Sequence, residues 1–142
     1  MTAHDKLLAF FSIRIFDYLR KKCPLESTAQ KSVNILLIGD VFGKSGRRAL
    51  HGHLKSVRDD YDIDGVVANG ENIAGGIGIT KETTEELFSL GVDMITSGNH
   101  VWRHKEVQSF IGLERRLLRP ANYPPGAPGR GAGIFQVAGG VK

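Results

Sequence analysis

Five short islands hold the side chains best suited to chemistry in this 142-residue chain: Gly39-Asp40-Val41, Asn69-Gly70-Glu71-Asn72, Ala74-Gly75-Gly76, Ser97-Gly98-Asn99-His100 and Trp102. Asp40 is a hard oxygen ligand of the kind that suits Mn²⁺, Fe or Mg²⁺; its plainer reading is a helix-capping or turn aspartate. Glu71, followed at once by Asn72, offers a carboxylate able to bridge two cations and a neutral oxygen donor beside it. Asn99-His100 adds a second amide oxygen and an imidazole, the side chain best suited to protonate a leaving oxygen near neutral pH. A lone loop histidine is usually structural. Its company is what points to a site.

Three of these islands follow strongly apolar runs. Asp40 comes after Ile35-Leu36-Leu37-Ile38, Glu71-Asn72 after Val66-Val67-Ala68, and Asn99-His100 after the segment from Val92 to Thr96. Short apolar runs bounded by glycine read as buried strands, here 33–39, 63–69 and 92–96. Between them lie two helices. Ser45 is the expected cap of the first, which runs to about Asp60; Thr80, with Glu82 and Glu85 close behind, starts the second, which Gly91 ends. Four glycines between Gly70 and Gly78 predict a loop. A third helix is expected over 103–111, then an extended stretch at 119–122, a Pro/Gly-rich loop over 124–133 and a fifth, peripheral strand over 134–138. Alternation of strand and helix predicts an α/β fold with a mostly parallel sheet. Consecutive parallel strands end on one edge, where ligands bind, so the carboxylate, amide and imidazole groups converge there.

The net charge of +4 is concentrated near the start: residues 1–32 carry six Lys/Arg against three Asp/Glu, and the remaining residues 13 against 12. The body therefore lacks the dense basic patch of a duplex nucleic-acid binder. Cys23, the one cysteine, excludes an internal disulfide and suits a reducing cytoplasm. No run approaches the ~20 apolar residues of a membrane span. Residues 1–32 are apolar and then basic, the reverse of a signal peptide, and read as an N-terminal extension, with a membrane-surface or partner-docking helix as the rival. His51-Gly52-His53 falls in the first expected helix, where positions two apart diverge and cannot clasp one metal.

Taken together, the segments from Asn34 to Lys44, Ala68 to Asn72, Ala74 to Thr80 and Gly98 to Trp102 resemble the N-terminal half of the YmdB-like metallophosphoesterases, of the calcineurin-like superfamily. The resemblance covers residues 33–142. It implies roughly the N-terminal half of an αββα sandwich, Rossmann-like in the order of its parallel strands. It also implies two divalent metal ions, Mn or Fe foremost and Mg or Zn as further options. By the same resemblance Asp40 holds one metal, Glu71 bridges both, Asn72 is the neighbouring metal-site amide, Asn99 is a ligand of the second metal, and His100 acts on the leaving group or stabilises the transition state. The implied reaction is in-line attack by a metal-bound hydroxide on a phosphodiester, the substrate being a small phosphodiester or cyclic nucleotide, with 2′,3′-cyclic nucleotides as one class.

The sequence departs from that pattern in two ways. The family draws further histidine ligands from its C-terminal half, whereas the last histidine here is His104; and members begin at the strand placed at Val33, which is the expected true start. The alternative reading is a truncated, inactive fragment that binds metal weakly or not at all. Its open strand edge would be prone to self-association into a homo-oligomer, and Arg115, Arg116 and Arg119 would form a solvated face. A P-loop reading of Gly39 to Ser45 fails on spacing, since three residues rather than four separate its glycines.

Overall fold

Parallel pairing of four strands organises the computed structural model, which describes residues 32–137. In chain order these are β1 (Ile35–Asp40), β2 (Gly65–Asn69), β3 (Met94–Thr96) and β4 (Leu117–Leu118), and they lie in the sheet in that same order. All three pairings are parallel. Consecutive order is what one mononucleotide-binding half of a doubly wound sheet shows. The connections carry α1 (Gly43–Asp60), α2 (Lys81–Ser89), a 3-10 helix at Asn99–Trp102 and the single turn α3 (Val107–Phe110). Of the expected extension over 1–32, residues 1–31 lie outside the described residues, and the chain from Ser32 to Asn34 leads into β1 without regular structure. No described helix is long and apolar enough to cross a membrane.

The core forms where helix stripes meet the sheet. Val66, Ala68, Ile95 and Leu117 from the strands pack with Leu50 and Leu54 of α1, Leu87 of α2, and Val101, Val107 and Ile111 beyond β3. β2 and β3 are central and apolar on both faces, as parallel strands are. β1 departs from the buried strand expected: among the described residues it lies at one edge of the sheet, and Leu37 is 45% exposed while Leu36 and Ile38 pack inward.

Other sequence expectations shift for local reasons. α1 begins two residues before Ser45, because Gly43 takes φ +51 and turns the chain at once; only glycine does this without strain. Phe42 is the N-cap, and Ser45 Oγ donates to the Phe42 carbonyl at 3.1 Å. Thr80 caps α2 as expected, in a reciprocal capping box with Thr83. The helix expected over 103–111 shrinks to α3, the chain before it being held in the 3-10 helix and turns. β4 lies just before the extended stretch expected at 119–122. Residues 134–137 form no strand; instead Val137 and Phe135 pack against Gly65, where a Cβ would meet them at 2.7 and 3.2 Å. Ala138 lies outside the described residues.

Polar ties fix the layers. Arg47 Nε donates to Glu86 Oε2 at 2.6 Å and its Nη1 to the Ile73 carbonyl, joining α1, α2 and the glycine loop. Asp93 Oδ2 accepts from Arg58 Nη2 at 3.1 Å and from the Val66 amide at 2.8 Å. Arg116 lies 3.7 Å over the Phe88 ring, a cation–π contact, and its carbonyl accepts from the Ile95 amide at 2.7 Å.

Two outcomes follow from this packing. Thr80→Ala removes one side of the capping box and is expected to lower unfolding stability by about 1 kcal/mol in urea denaturation. For Glu114, burial pushes the carboxyl up, but hydrogen bonds from the Arg116 side chain and amide, with that guanidinium's charge, outweigh it and hold the group below its ordinary 4.5. A depressed folded value means the stabilisation is present above pH 4.5 and is lost as pH falls through the lower folded value. Arg116→Ala should therefore flatten the acid limb of a stability-versus-pH curve.

Candidate functional site

The ladder positions the site by running out at one edge. β1 pairs Ile38 with Ala68 and then Asp40 with Asn69, so Gly39 is an inserted residue that brings Asp40 level with the end of β2. The Val41 amide donates to the Asn69 carbonyl and the Gly70 amide to the Thr96 carbonyl, each at 2.9 Å, and these bonds tie the three strand ends together. Asn69 Oδ1 accepts from the Glu71 amide at 2.9 Å, turning the chain so that Glu71 and Asn72 lie over the edge. A Cβ on Gly98 would overlap the Glu71 carboxylate. That close approach is why the loop after β3 carries glycine there.

Four side chains form one hydrogen-bonded row. Asn72 Nδ2 donates to Asp40 Oδ2 at 2.9 Å. A carboxylate only accepts, so the amide oxygen must face the other way, toward His100 Nδ1 at 2.8 Å. The same nitrogen lies 3.0 Å from Glu71 Oε1. Both neighbours of Nδ1 are acceptors, so Nδ1 carries the proton and donates to them, which leaves Nε2 as the open ring atom. Glu71 is the most enclosed of the charged members, its side chain 17% exposed, and His100 is its one ion-pair partner among the described residues.

Asp40, Glu71, Asn72 and His100 are thus brought together as the sequence expects. Asn99 opens the 3-10 helix beside them, exposed and outside the row. His51 and His53 are both exposed on α1. Trp102 is a packing residue against Tyr123, with ring centroids 6.1 Å apart. His104 Nε2 donates to the Ile77 carbonyl at 3.0 Å and so fastens the glycine loop. Arg119 corrects the solvated-face reading. It is only 9% exposed, its amide donates to the Arg130 carbonyl, its Nη1 donates to the Pro120 carbonyl at 2.9 Å, and its Nε is buried without a partner among the described residues. No sequence signal separated it from the exposed Arg115, since strand-end burial comes from the loop folding back over it.

Two carboxylates and two amides match the oxygen-rich donor set of a hard divalent cation. They would supply only part of a coordination shell: among the described residues no three or more His, Cys, Asp and Glu side chains are grouped to hold a metal ion. The Asn72 amide is engaged at both ends, but its oxygen carries two lone pairs, so one is left for a cation while the other accepts from His100.

Comparison with known proteins places this geometry. Residues 36–142 match the family described as YmdB-like protein. The chain is 41% identical over 107 residues to the 2′,3′-cyclic-nucleotide 2′-phosphodiesterase of Bacillus subtilis, a match covering 75% of this chain and 40% of that protein. Among solved structures it is similar to a hypothetical protein from Thermus thermophilus, with TM-score 0.67 and 46% identity over 74% of this chain and 40% of that one. It is also similar to a phosphatase from Mycoplasma pneumoniae, with TM-score 0.70 and 32% identity over 75% and 39%. The chain belongs to the YmdB-like family, and its α/β sheet is part of the calcineurin-like fold. It spans about two fifths or less of the length of the curated relatives it matches. Membership in this family of phosphoesterases implies divalent metal ions.

Gly98→Ala should push Glu71 away from His100. The expected results are a loss of roughly 1–3 kcal/mol of stability, typical of overpacking, and a changed imidazole ¹⁵N pattern at His100. An unchanged pattern would show that the loop absorbs the methyl group without moving the carboxylate.

Proposed function

We propose that this site belongs to a metal-dependent phosphodiesterase acting on nucleoside 2′,3′-cyclic phosphates, by attack of water on phosphorus at a dinuclear centre. The observation that carries the reading is the Asp40–Asn72–His100–Glu71 row at the strand ends. The name of the Bacillus subtilis relative supports the substrate class. Asp40 and Glu71, with Asn72 and Asn99 as neutral oxygen donors, would hold two cations, Mn or Fe foremost. Such cations lower the pKa of an attacking water and neutralise charge gathering on phosphorus.

The chain's own groups divide the remaining work. Glu71 and Asn72 orient His100 through Nδ1, so that Nε2 is directed at the substrate. When the ring is protonated, Nε2 donates its proton to the departing ribose oxygen as the P–O bond breaks. For a 2′-phosphodiesterase that oxygen is O2′, and water supplies the new P–O bond of a nucleoside 3′-phosphate. Gly98 lets the Glu71 carboxylate sit close against the backbone. A hydrogen-bonded carboxylate held this way loses little freedom when it takes up a cation.

A second reading is favoured by the absence of a third charged or imidazole ligand among the described residues: these residues form a half-site that binds metal weakly and does not turn over. Mn²⁺-dependent hydrolysis of adenosine 2′,3′-cyclic phosphate, with Mn²⁺ binding followed by EPR, separates the two. The first reading expects turnover that falls by about 10²–10⁴ in His100→Ala with Mn²⁺ affinity kept, and a loss of both in Glu71→Gln. Millimolar or weaker Mn²⁺ binding without turnover in the unsubstituted chain would establish the second.

A further inference from the structure

Beside the row lies an aromatic ring that the proposed reaction does not use. Phe42 is two residues beyond Asp40 and is 58% exposed, although its backbone is hydrogen-bonded into the start of α1. Its carbonyl accepts from the Gly46 amide at 2.9 Å and from Ser45 Oγ at 3.1 Å, which locks it to the start of α1. The next residue, Gly43, donates its amide to the Asn72 carbonyl at 2.9 Å, so Phe42 adjoins the very segment that carries the site's bridging amide. The tip of the ring lies against Gly76: a Cβ there would lie 2.8 Å from Cζ and 3.2 and 3.5 Å from the two Cε atoms. Gly76 holds φ +97, which L side chains rarely adopt. Ile77, the next residue, is also exposed, at 37%.

The Phe42 ring is tied down at its backbone and at its tip, with more than half of the residue in solvent two positions along the chain from Asp40. Fixed aromatic faces of this kind serve as stacking platforms for bases, because every base presents a π-face. Resting on the phosphodiesterase reading above, we infer that Phe42, seated on Gly76, stacks the nucleobase of the substrate and makes the site prefer nucleoside phosphates to base-free phosphodiesters. Stacking is tolerant of base identity, with purines ahead of pyrimidines by their larger face. The platform contacts the ligand at the base while Asp40, Glu71 and His100 act at phosphorus.

Calorimetric titration of the whole chain in Mn²⁺ buffer with adenosine 3′-monophosphate and with ribose 3-phosphate tests this apart from turnover. The nucleotide is expected to bind on the order of tenfold more tightly than the sugar phosphate. Phe42→Leu should erase the difference while sparing ribose 3-phosphate, and Phe42→Tyr should keep it. Equal affinities in the unsubstituted chain would overturn the platform and leave the phosphate site standing. So would a preference that survives in Phe42→Leu. Loss of ribose 3-phosphate binding in Phe42→Leu would make the ring a strut for the loop and overturn the inference in that way. If neither ligand binds the unsubstituted chain, the phosphodiesterase reading fails and the platform falls with it.

Discussion

The register of the parallel ladder at its carboxyl edge is the constraint on which the site depends. Asp40, Asn69, Thr96 and Leu118 lie in one row across the four strands. Just past that row, the amides of Val41 and Gly70 are taken up by the neighbouring strand ends. Ser97 Oγ closes the same edge on the β4 side by donating to the Leu118 carbonyl at 2.6 Å. A slip of one residue in any pairing would reverse which side chains face the core. It would also carry Asp40 away from Asn72. The inserted Gly39 marks where the ladder bends: its bulge lets Asp40, rather than Gly39, stand opposite Asn69 at the end of β2.

Above that edge the electrostatics are governed by a carboxylate with little access to water. Glu71 Oε1 lies 3.0 Å from His100 Nδ1, which donates to it. Asn72 spends its amide on Asp40 and His100, which keeps two acidic groups apart while relating their positions. A divalent cation would attract the same carboxylates more strongly than an imidazole does. The row is therefore arranged so that the groups that hold one another in place are those whose chemistry suits a cation and a leaving oxygen.

Much of this was legible in the sequence because the carriers are local. Apolar runs ending in Asp40, Asn69 and Thr96 gave strand identity and direction, and Thr80 with its acidic first turn gave the start of α2. The polar cluster was legible from the company its residues keep just past the apolar runs, although Asn99, expected in it, stands outside the row. What failed depends on partners distant in sequence. β1 has the composition of a buried strand, and only the sheet order makes it an edge. Residues 134–137 alternate well enough for a strand, yet Val137 and Phe135 are drawn under Gly65 instead. Arg119 has the look of a surface charge until the loop from Pro120 to Arg130 folds over it. Ser45 has the right hydroxyl for a cap, but the turn at Gly43 had already started the helix.

The glycine loop shows how one local composition serves several ends at once. Its backbone lies close enough to Gly43 that a Cβ on that residue would meet the Gly76 nitrogen at 3.2 Å, and it supplies the surface on which Phe42 rests. His104 holds it from the far side through the Ile77 carbonyl, and Arg47 anchors its beginning through the Ile73 carbonyl. A segment with this little side-chain bulk would be mobile if unanchored. Cross-ties from α1 and from the residues after the 3-10 helix convert it into a wall. The hydrogen-bonded row stands past the strand ends, and the loop beside it is built largely from backbone, against which the tip of the Phe42 ring comes to rest while the residue stays exposed.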